Sequence, residues 1–295
     1  MKLKNTHKQD RISNMFEKIF LFCAVVSVIS VVVISLYMII SGAPVMKEVG
    51  FFNFLFGTEW NPTGSNPSFG IFPMILSSIC ATIGAIVIGV PIGILTAVFL
   101  SEIANKKVAN FIRPFIEILA GIPSVIYGFV GLILLVPFIA DVFGLSYGAC
   151  LFTGMIVLAI MILPTIVTIS EDSLRALPSE YKEASLGLGA TKIQTIFKIL
   201  IPAARSGITT GIVLGIGRAI GETMAVIMVT GNSVNLPKLF GSVRLMTSGI
   251  VSEMSYAVGT HRDALFAIGL VLFVFIMAIN LILNSILNKA DKKYD

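Results

Sequence analysis

Charged residues fall in clusters along this chain, and between them run uninterrupted apolar stretches at 19–40, 71–100, 118–140, 142–170 and 264–288. Each is long enough to cross a bilayer, whose hydrocarbon core takes about 20 apolar residues. A sixth stretch, near 206–229, is as apolar apart from Arg218 and Glu222. Backbone polar groups in lipid must find partners inside their own segment, so the pattern predicts an all-α, polytopic membrane protein with six transmembrane helices. The expected organisation is an N-terminal segment at 1–18, a six-span domain at 19–288 with a patterned loop at 171–205, and a tail at 289–295.

With 56% apolar and 13% charged residues, the composition excludes an ordinary soluble surface. When the connections are assigned to alternate sides, most of the 21 Lys and Arg fall together, and only Lys47, Lys238, Arg244 and Arg262 fall opposite. The positive-inside rule then places both termini in the cytoplasm. A net charge of +5 does not signal nucleic acid here, because the basic residues flank span ends and no recognition motif accompanies them. Cys23, Cys80 and Cys150 lie in or beside spans and read as packing residues, with no metal or disulfide role. The first span is long for a signal sequence, has no small-residue cleavage site after it, and is expected to stay as an anchor.

Two outside connections are long, 41–70 and 231–263. The first carries Phe51, Phe52, Phe54, Phe56 and Trp60 beside a turn-rich run from Asn61 to Pro67, which suits either membrane anchoring or docking of an external partner. Pro91, Pro123 and Pro164 fall inside spans and are expected to bend them. Glu117 follows Arg113 by four residues, the spacing of an ion pair along a helix.

The cytoplasmic connection at 171–205 reads as two short helices. Ser179 offers an N-cap, with Glu180 and Glu183 favouring the helix dipole. Gly187 and Gly189 end that helix, and Thr191 with Gln194 forms a capping box for the next. Ile193, Ile196, Phe197, Leu200 and Ile201 then make one apolar stripe, which must lie against the chain's own spans or another protein. Glu183-Ala184-Ser185, then Gly189, then Ile199-Leu200-Ile201-Pro202 resembles the "EAA" signature of permease subunits of ATP-binding-cassette importers. Ser185 stands where that family usually has Ala, and Ile201 where it usually has Leu. The resemblance implies a cytoplasmic coupling helix, with Glu183, Ala184, Ser185, Gly189, Ile199 and Pro202 engaging a separate ATPase. The run Gly187–Lys192 lacks the Gly-Lys-Ser/Thr of a phosphate-binding loop, so no cofactor is expected in this chain and ATP with Mg is expected on the partner.

Arg218 lies twelve residues beyond Ser206, about 18 Å along a helix and so near the bilayer centre. Placing an arginine there costs about 2.5–3.5 kcal/mol on insertion scales. Gly207, Gly211, Gly215, Arg218 and Glu222 share a face about 80° wide at about 100° per residue, and small residues make that an inward face. Gly217 and Gly221 form a second small pair; Ile220 at the third-glycine place excludes a dinucleotide fingerprint. Glu222 can pair with Arg218 along the helix, which leaves a structural ion pair and an anion path both open. The second uses arginine chemistry, a planar permanent charge that engages two oxygens of an oxyanion at once.

The run from Gly217 to Val226 is similar to the matching motif of phosphate-specific permeases, and its Thr223-Met224-Ala225-Val226 ending favours the PstC type over the PstA type. Trp60-Asn61-Pro62 with Phe69-Gly70 and Pro73, Gly121-Ile122-Pro123-Ser124 and Ser252-Glu253-Met254 extend the likeness over essentially the whole chain. It implies a non-enzymatic half-pore in a bacterial inner membrane, with Arg218, Glu222 and Thr223 on the substrate pathway and neither catalytic nor metal-binding residues. The implied partners are a PstA-type second permease, two ATPase subunits, an external phosphate-binding protein and membrane lipid, with no nucleic acid. A sulfate or molybdate permease is the nearest alternative. An ion-coupled secondary carrier would lack the coupling signature, and no inverted repeats are evident. A purely structural membrane protein leaves Arg218 and Glu222 unexplained.

Overall fold

The structure is a computed structural model that describes residues 3–291; Lys292 and Lys293 of the expected basic tail lie outside the described residues. Three helices form the centre: α3 (Phe72–Val98), α7 (Leu151–Arg175) and α11 (Arg205–Gly221). Glycines let them approach closely. A Cβ on Gly93 of α3 would lie 2.8 Å from Ile166 of α7, and one on Gly215 of α11 would lie 3.0 Å from the same isoleucine. Ile166 is thus gripped from both sides, and Ile162, Ala81, Ala85 and Ala219 complete the buried layer. Dense packing of this kind, not a hydrophobic drive, is what holds helices together in lipid.

The first helix, α1 (Leu3–Val49), lies against α14 (Thr260–Asp291). A Cβ on Gly42 would lie 2.8 Å from the Ala267 backbone, so a larger residue there would force the helices apart. Tyr37 meets Phe266 edge to face with ring centroids 5.3 Å apart. Most of the other side chains described on α1 are exposed, as a lipid-facing helix requires.

Among the described residues, five helical segments are long and apolar enough to cross a membrane: Ser13–Val49, Phe72–Ile103, Ser124–Phe143, Leu151–Arg175 and Thr260–Ile282. The sixth comes from Arg205–Gly221, bent by 70° from the preceding Lys192–Ala203. Two predicted boundaries are corrected. The third span starts at Ser124, because Ile122 ahead of Pro123 is extended (ψ 128°), as residues before proline tend to be, and this ends α4 (Lys106–Gly121) before the membrane helix begins. Ile118 therefore belongs to α4. The fourth span starts at Leu151, because α6 (Val136–Phe143) ends at left-handed Gly144 (φ 63°). Of the three prolines expected to bend spans, only Pro123 stands at a break; α3 and α7 continue through Pro91 and Pro164. π-helical turns at Phe99–Ile103, Gly131–Leu135 and Ile196–Leu200 supply other irregularities.

The two ends differ. At one, α2 (Phe51–Phe56), a hairpin of β1 (Trp60–Asn61) and β2 (Ser68–Phe69), and α13 (Met246–Met254) close over a core that includes Val45, Phe54, Ile71 and Met246. The turn-rich run after Trp60 forms the hairpin connection. Phe54 is buried there and Trp60 half-buried, while Phe51, Phe52 and Phe56 are exposed. At the other end, α8 (Ser179–Gly187) and α9 (Lys192–Thr195) lead through the π-turn into α10 (Ile201–Ala203), against Val98, Leu174 and Ile208.

Candidate translocation and coupling sites

The helical loop at the second end, from α8 through α10 and called the lever below, is built largely as its sequence predicts. Gln194 N–H donates to Thr191 Oγ1 at 3.3 Å while Thr191 N–H donates to Gln194 Oε1 at 2.9 Å, so the capping box is complete. Gly189 takes φ +87°, a conformation that a side chain disfavours, and so turns the chain between α8 and α9. The N-cap of α8 is Pro178, not Ser179, because the helix starts one residue early and the Ser179 hydroxyl makes no capping bond. Ser185, the departure from the family's usual alanine, is buried with its hydroxyl 3.0 Å from that of Thr195, and so ties α8 to α9. Lys182 Nζ reaches Glu102 Oε2 at 2.7 Å and pins α8 to the end of the second span.

The predicted apolar stripe is divided. Ile196 and Leu200 are buried against the chain's own spans, whereas Ile193 is 68% exposed and Phe197 53% exposed. The π-turn from Ile196 supplies the reason, since its wider turn shifts the angular register of a 3.6-residue pattern. Tyr181, Leu186 and Leu188 add to the bare side, Leu188 being 90% exposed. Glu183, Ala184, Gly189, Ile199 and Pro202 are also exposed. Nearby, Arg113 pairs with Glu171 at 2.8 Å, and Arg175 joins the same carboxylate at 3.1 Å. The expected Arg113–Glu117 pair is not made: Glu171 is buried and Glu117 exposed, and a buried charge has the greater need of partners.

The charged span is interrupted. Helix α11 stops at Gly221, Glu222 is extended (ψ 134°), and α12 (Met224–Val229) starts after Thr223. Pairing at i,i+4 requires a continuous helix, so the expected Arg218–Glu222 pair is absent. Glu222 instead turns into the protein. Its Oε1 accepts the Ala225 N–H at 3.1 Å, and its carbonyl accepts the Thr247 hydroxyl at 2.8 Å. Thr223 Oγ1 donates to the Gly221 carbonyl at 3.2 Å.

Arg218 is half-buried in the last turn of α11, where the helix dipole favours a cation. Among the described residues it has neither an ion pair nor a hydrogen-bond partner. Its charge reaches Tyr127 of α5 (Ser124–Val130), whose hydroxyl donates to the Leu119 carbonyl at 2.6 Å. The glycines on this helix divide in function. Gly211 and Gly215 pack on Ile169 and Ile166 as predicted, but a Cβ on Gly217 or Gly221 would meet nothing within 4 Å. The second glycine pair is therefore no contact within this chain; it faces open space beside Arg218. Irregular backbone at membrane depth persists where it is buried in protein or lines a wet cavity, and a break beside an uncompensated cation fits the second case.

One cluster was not recognised from the sequence. The Glu253 carboxylate, 7% exposed, binds Arg244 through Oε1, and its Oε2 lies 3.0 Å from Trp60 Nε1 and 2.8 Å from His261 Nε2. Arg244 Nε also donates to the Asn232 carbonyl at 3.0 Å. Ser252-Glu253-Met254 stood out only as a motif, since its partners are scattered along the chain. Among the described residues no group of three or more His, Cys, Asp and Glu converges on a metal position.

A helical membrane bundle with a bare lever at one end and a broken span that carries a cation has the attributes of a solute-moving subunit driven from outside itself. The chain belongs to the family of binding-protein-dependent transport system inner membrane components, whose pattern matches residues 89–295, and it is a multi-pass inner-membrane protein. The probable ABC transporter permease protein YqgH of Bacillus subtilis (strain 168) is 41% identical over 266 residues, covering 87% of this chain and 86% of the relative. The phosphate transport system permease protein PstC of Pasteurella multocida (strain Pm70) is 36% identical over 262 residues, covering 82% and 81%. The fold is shared with a bacterial alginate ABC transporter solved in complex with an alginate pentasaccharide-bound periplasmic protein (TM-score 0.64, 17% identity, 97% and 96% covered). It is shared also with the MetNI methionine ABC transporter in inward-facing conformations (TM-score 0.56, 22% identity, 75% and 94% covered).

Proposed function

We propose that this chain is the PstC-type permease subunit of an ATP-driven phosphate importer in the bacterial inner membrane, forming half of its pore. The observation that carries the reading is Arg218, a half-buried guanidinium beside open space at the broken end of α11, paired with no carboxylate among the described residues. A tetrahedral oxyanion supplies what that group lacks, two oxygens for a planar fork. Relatives named as phosphate permeases, at 36% and 37% identity, narrow the oxyanion to phosphate. Thr223 and Glu222 flank the path; Glu222 shapes the break through its bond to Ala225 and does not hold Arg218.

The open side of α11 faces a PstA-type second permease, which completes the conduit. The bare lever seats Leu188, Ile193 and Phe197 on one of two ATPase subunits, and these bind ATP and Mg. With the lever in the cytoplasm both termini are cytoplasmic, and the hairpin end receives an external phosphate-binding protein. The test is the assembled complex in liposomes. Phosphate uptake is expected to require ATP inside, and Arg218→Ala is expected to reduce it at least about tenfold, because a charge-assisted hydrogen bond contributes about 1.5–3 kcal/mol. Normal uptake by an assembled Arg218→Ala complex overturns the assignment, and competition by sulfate or molybdate in preference to phosphate transfers it to those anions.

A further inference from the structure

We infer that α13 is a strut linking the hairpin end to the break beside Arg218, with Glu253 as the positioning residue that locks it; this rests on the importer reading above. Glu253 lies in the last turn of α13, and its carboxylate gathers donors from three separate segments: Trp60 in β1, Arg244 just ahead of α13, and His261 in the first turn of α14. A buried ion pair adds little net stability over well-packed apolar residues, but its directional bonds fix one arrangement of the parts they join. The parts joined here are the hairpin and the carboxyl end of α13.

The amino end of α13 grips the membrane interior. Thr247 donates to the Glu222 carbonyl at 2.8 Å, the carbonyl that the helix break leaves available, and Met246 N–H donates to Ser78 Oγ on α3 at 3.0 Å. Thr247 and Glu253 are about 9 Å apart along a helix rising about 1.5 Å per residue, too short a distance for the strut to bend appreciably. A shift of the hairpin therefore bears on Glu222, about one helical turn beyond Arg218, without passing through the packed centre of α3 and α7. The hairpin is exposed to such a shift: Trp60 is only half-buried, and Phe52 and Phe56 beside it on α2 are exposed. Docking of the anion-loaded external protein on this end thus reaches the anion site directly, and Trp60, Glu253 and Thr247 carry the link.

Three substitutions, two of them isosteric, cut the link in the reconstituted complex. Trp60→Phe keeps an aromatic ring but removes the N–H with the rest of the indole; Glu253→Gln keeps the shape and removes the charge; Thr247→Val keeps the shape and removes the hydroxyl. The readout is the ratio of ATP hydrolysis with the phosphate-loaded external binding protein to hydrolysis without it. Each variant is expected to lower that ratio about fivefold, the scale of one lost hydrogen bond. The Trp60→Phe/Thr247→Val pair should lower it no further than the larger single effect, because both sever one connection. A merely structural role depresses both rates together; an unchanged ratio, or losses that multiply in the pair, overturns the strut. If Glu253→Gln fails to assemble, the Trp60 and Thr247 substitutions decide. An unsubstituted complex that responds to a sulfate- or molybdate-loaded receptor but not to a phosphate-loaded one removes the phosphate reading alone, and the ratios are then read with that anion.

Discussion

The Glu253 cluster at the hairpin end and the lever at the other end differ in what their own chain supplies. At the hairpin end the buried carboxylate of Glu253 is fully occupied by Arg244, Trp60 and His261, all from this chain. At the lever end Leu188, Ile193 and Phe197 stand bare although Ile196 and Leu200, a few residues away, are buried. The Glu253 cluster is satisfied within a single polypeptide, whereas the lever has settled its own fold through a capping box and the Ser185–Thr195 bond and still presents apolar surface. A charge cluster closed by its own chain fixes position, and bare apolar side chains leave room for a partner.

That contrast can be broken most forcefully at the lever. Gly189→Glu places a charge and a side chain at a φ of +87°, where nothing in this chain lies within 4 Å of the new Cβ. The chain should insert in the membrane normally, while uptake and co-purification of the ATPase fall by about a hundredfold or more, given that an unpaired charge buried in an interface costs about 3–5 kcal/mol. Undiminished uptake would show that the bare surface seats nothing. The converse change, Arg244→Leu, acts within the chain by leaving Glu253 without its cation. A stability loss of about 3 kcal/mol is expected in the purified subunit itself, seen as a lower thermal midpoint, because the residual charge stays buried. A subunit as stable as the original would mean that Arg244 is not what holds the buried Glu253 carboxylate in place. The smallest effect belongs to Ser185→Ala, which restores the family's usual residue. Thr195 keeps its bond to the Thr191 carbonyl at 3.1 Å, so about 1 kcal/mol or less should be lost and uptake should stay within about twofold.

Legibility in the sequence followed the range of the interactions. The capping box of Thr191 and Gln194 is local, its signal spans four residues, and it stands as predicted. The close face of Gly211 and Gly215 also follows from helical spacing alone. The Arg218–Glu222 pair has the right spacing but is not formed, because the helix ends between the two residues and the Glu222 carbonyl goes to Thr247, 25 positions away. Arg113 likewise chose Glu171, 58 positions distant, over Glu117. The Glu253 cluster joins Trp60 across 193 positions, and no window along the chain could have exposed it.

What the sequence determined by itself is the solvent and the periodicity: lipid for the long apolar runs, helices because backbone groups there have no water, and a lever capped by its own side chains. The tertiary structure decided where those helices stop and which charges meet. A helix end and an ion pair are each settled by competition among partners from different segments, and the outcome depends on which of them the packed bundle brings within about 3 Å. Arg218 is the result that matters most here: its position is written in the chain, but only the fold took Glu222 away to serve another helix and left the guanidinium without a carboxylate among the described residues.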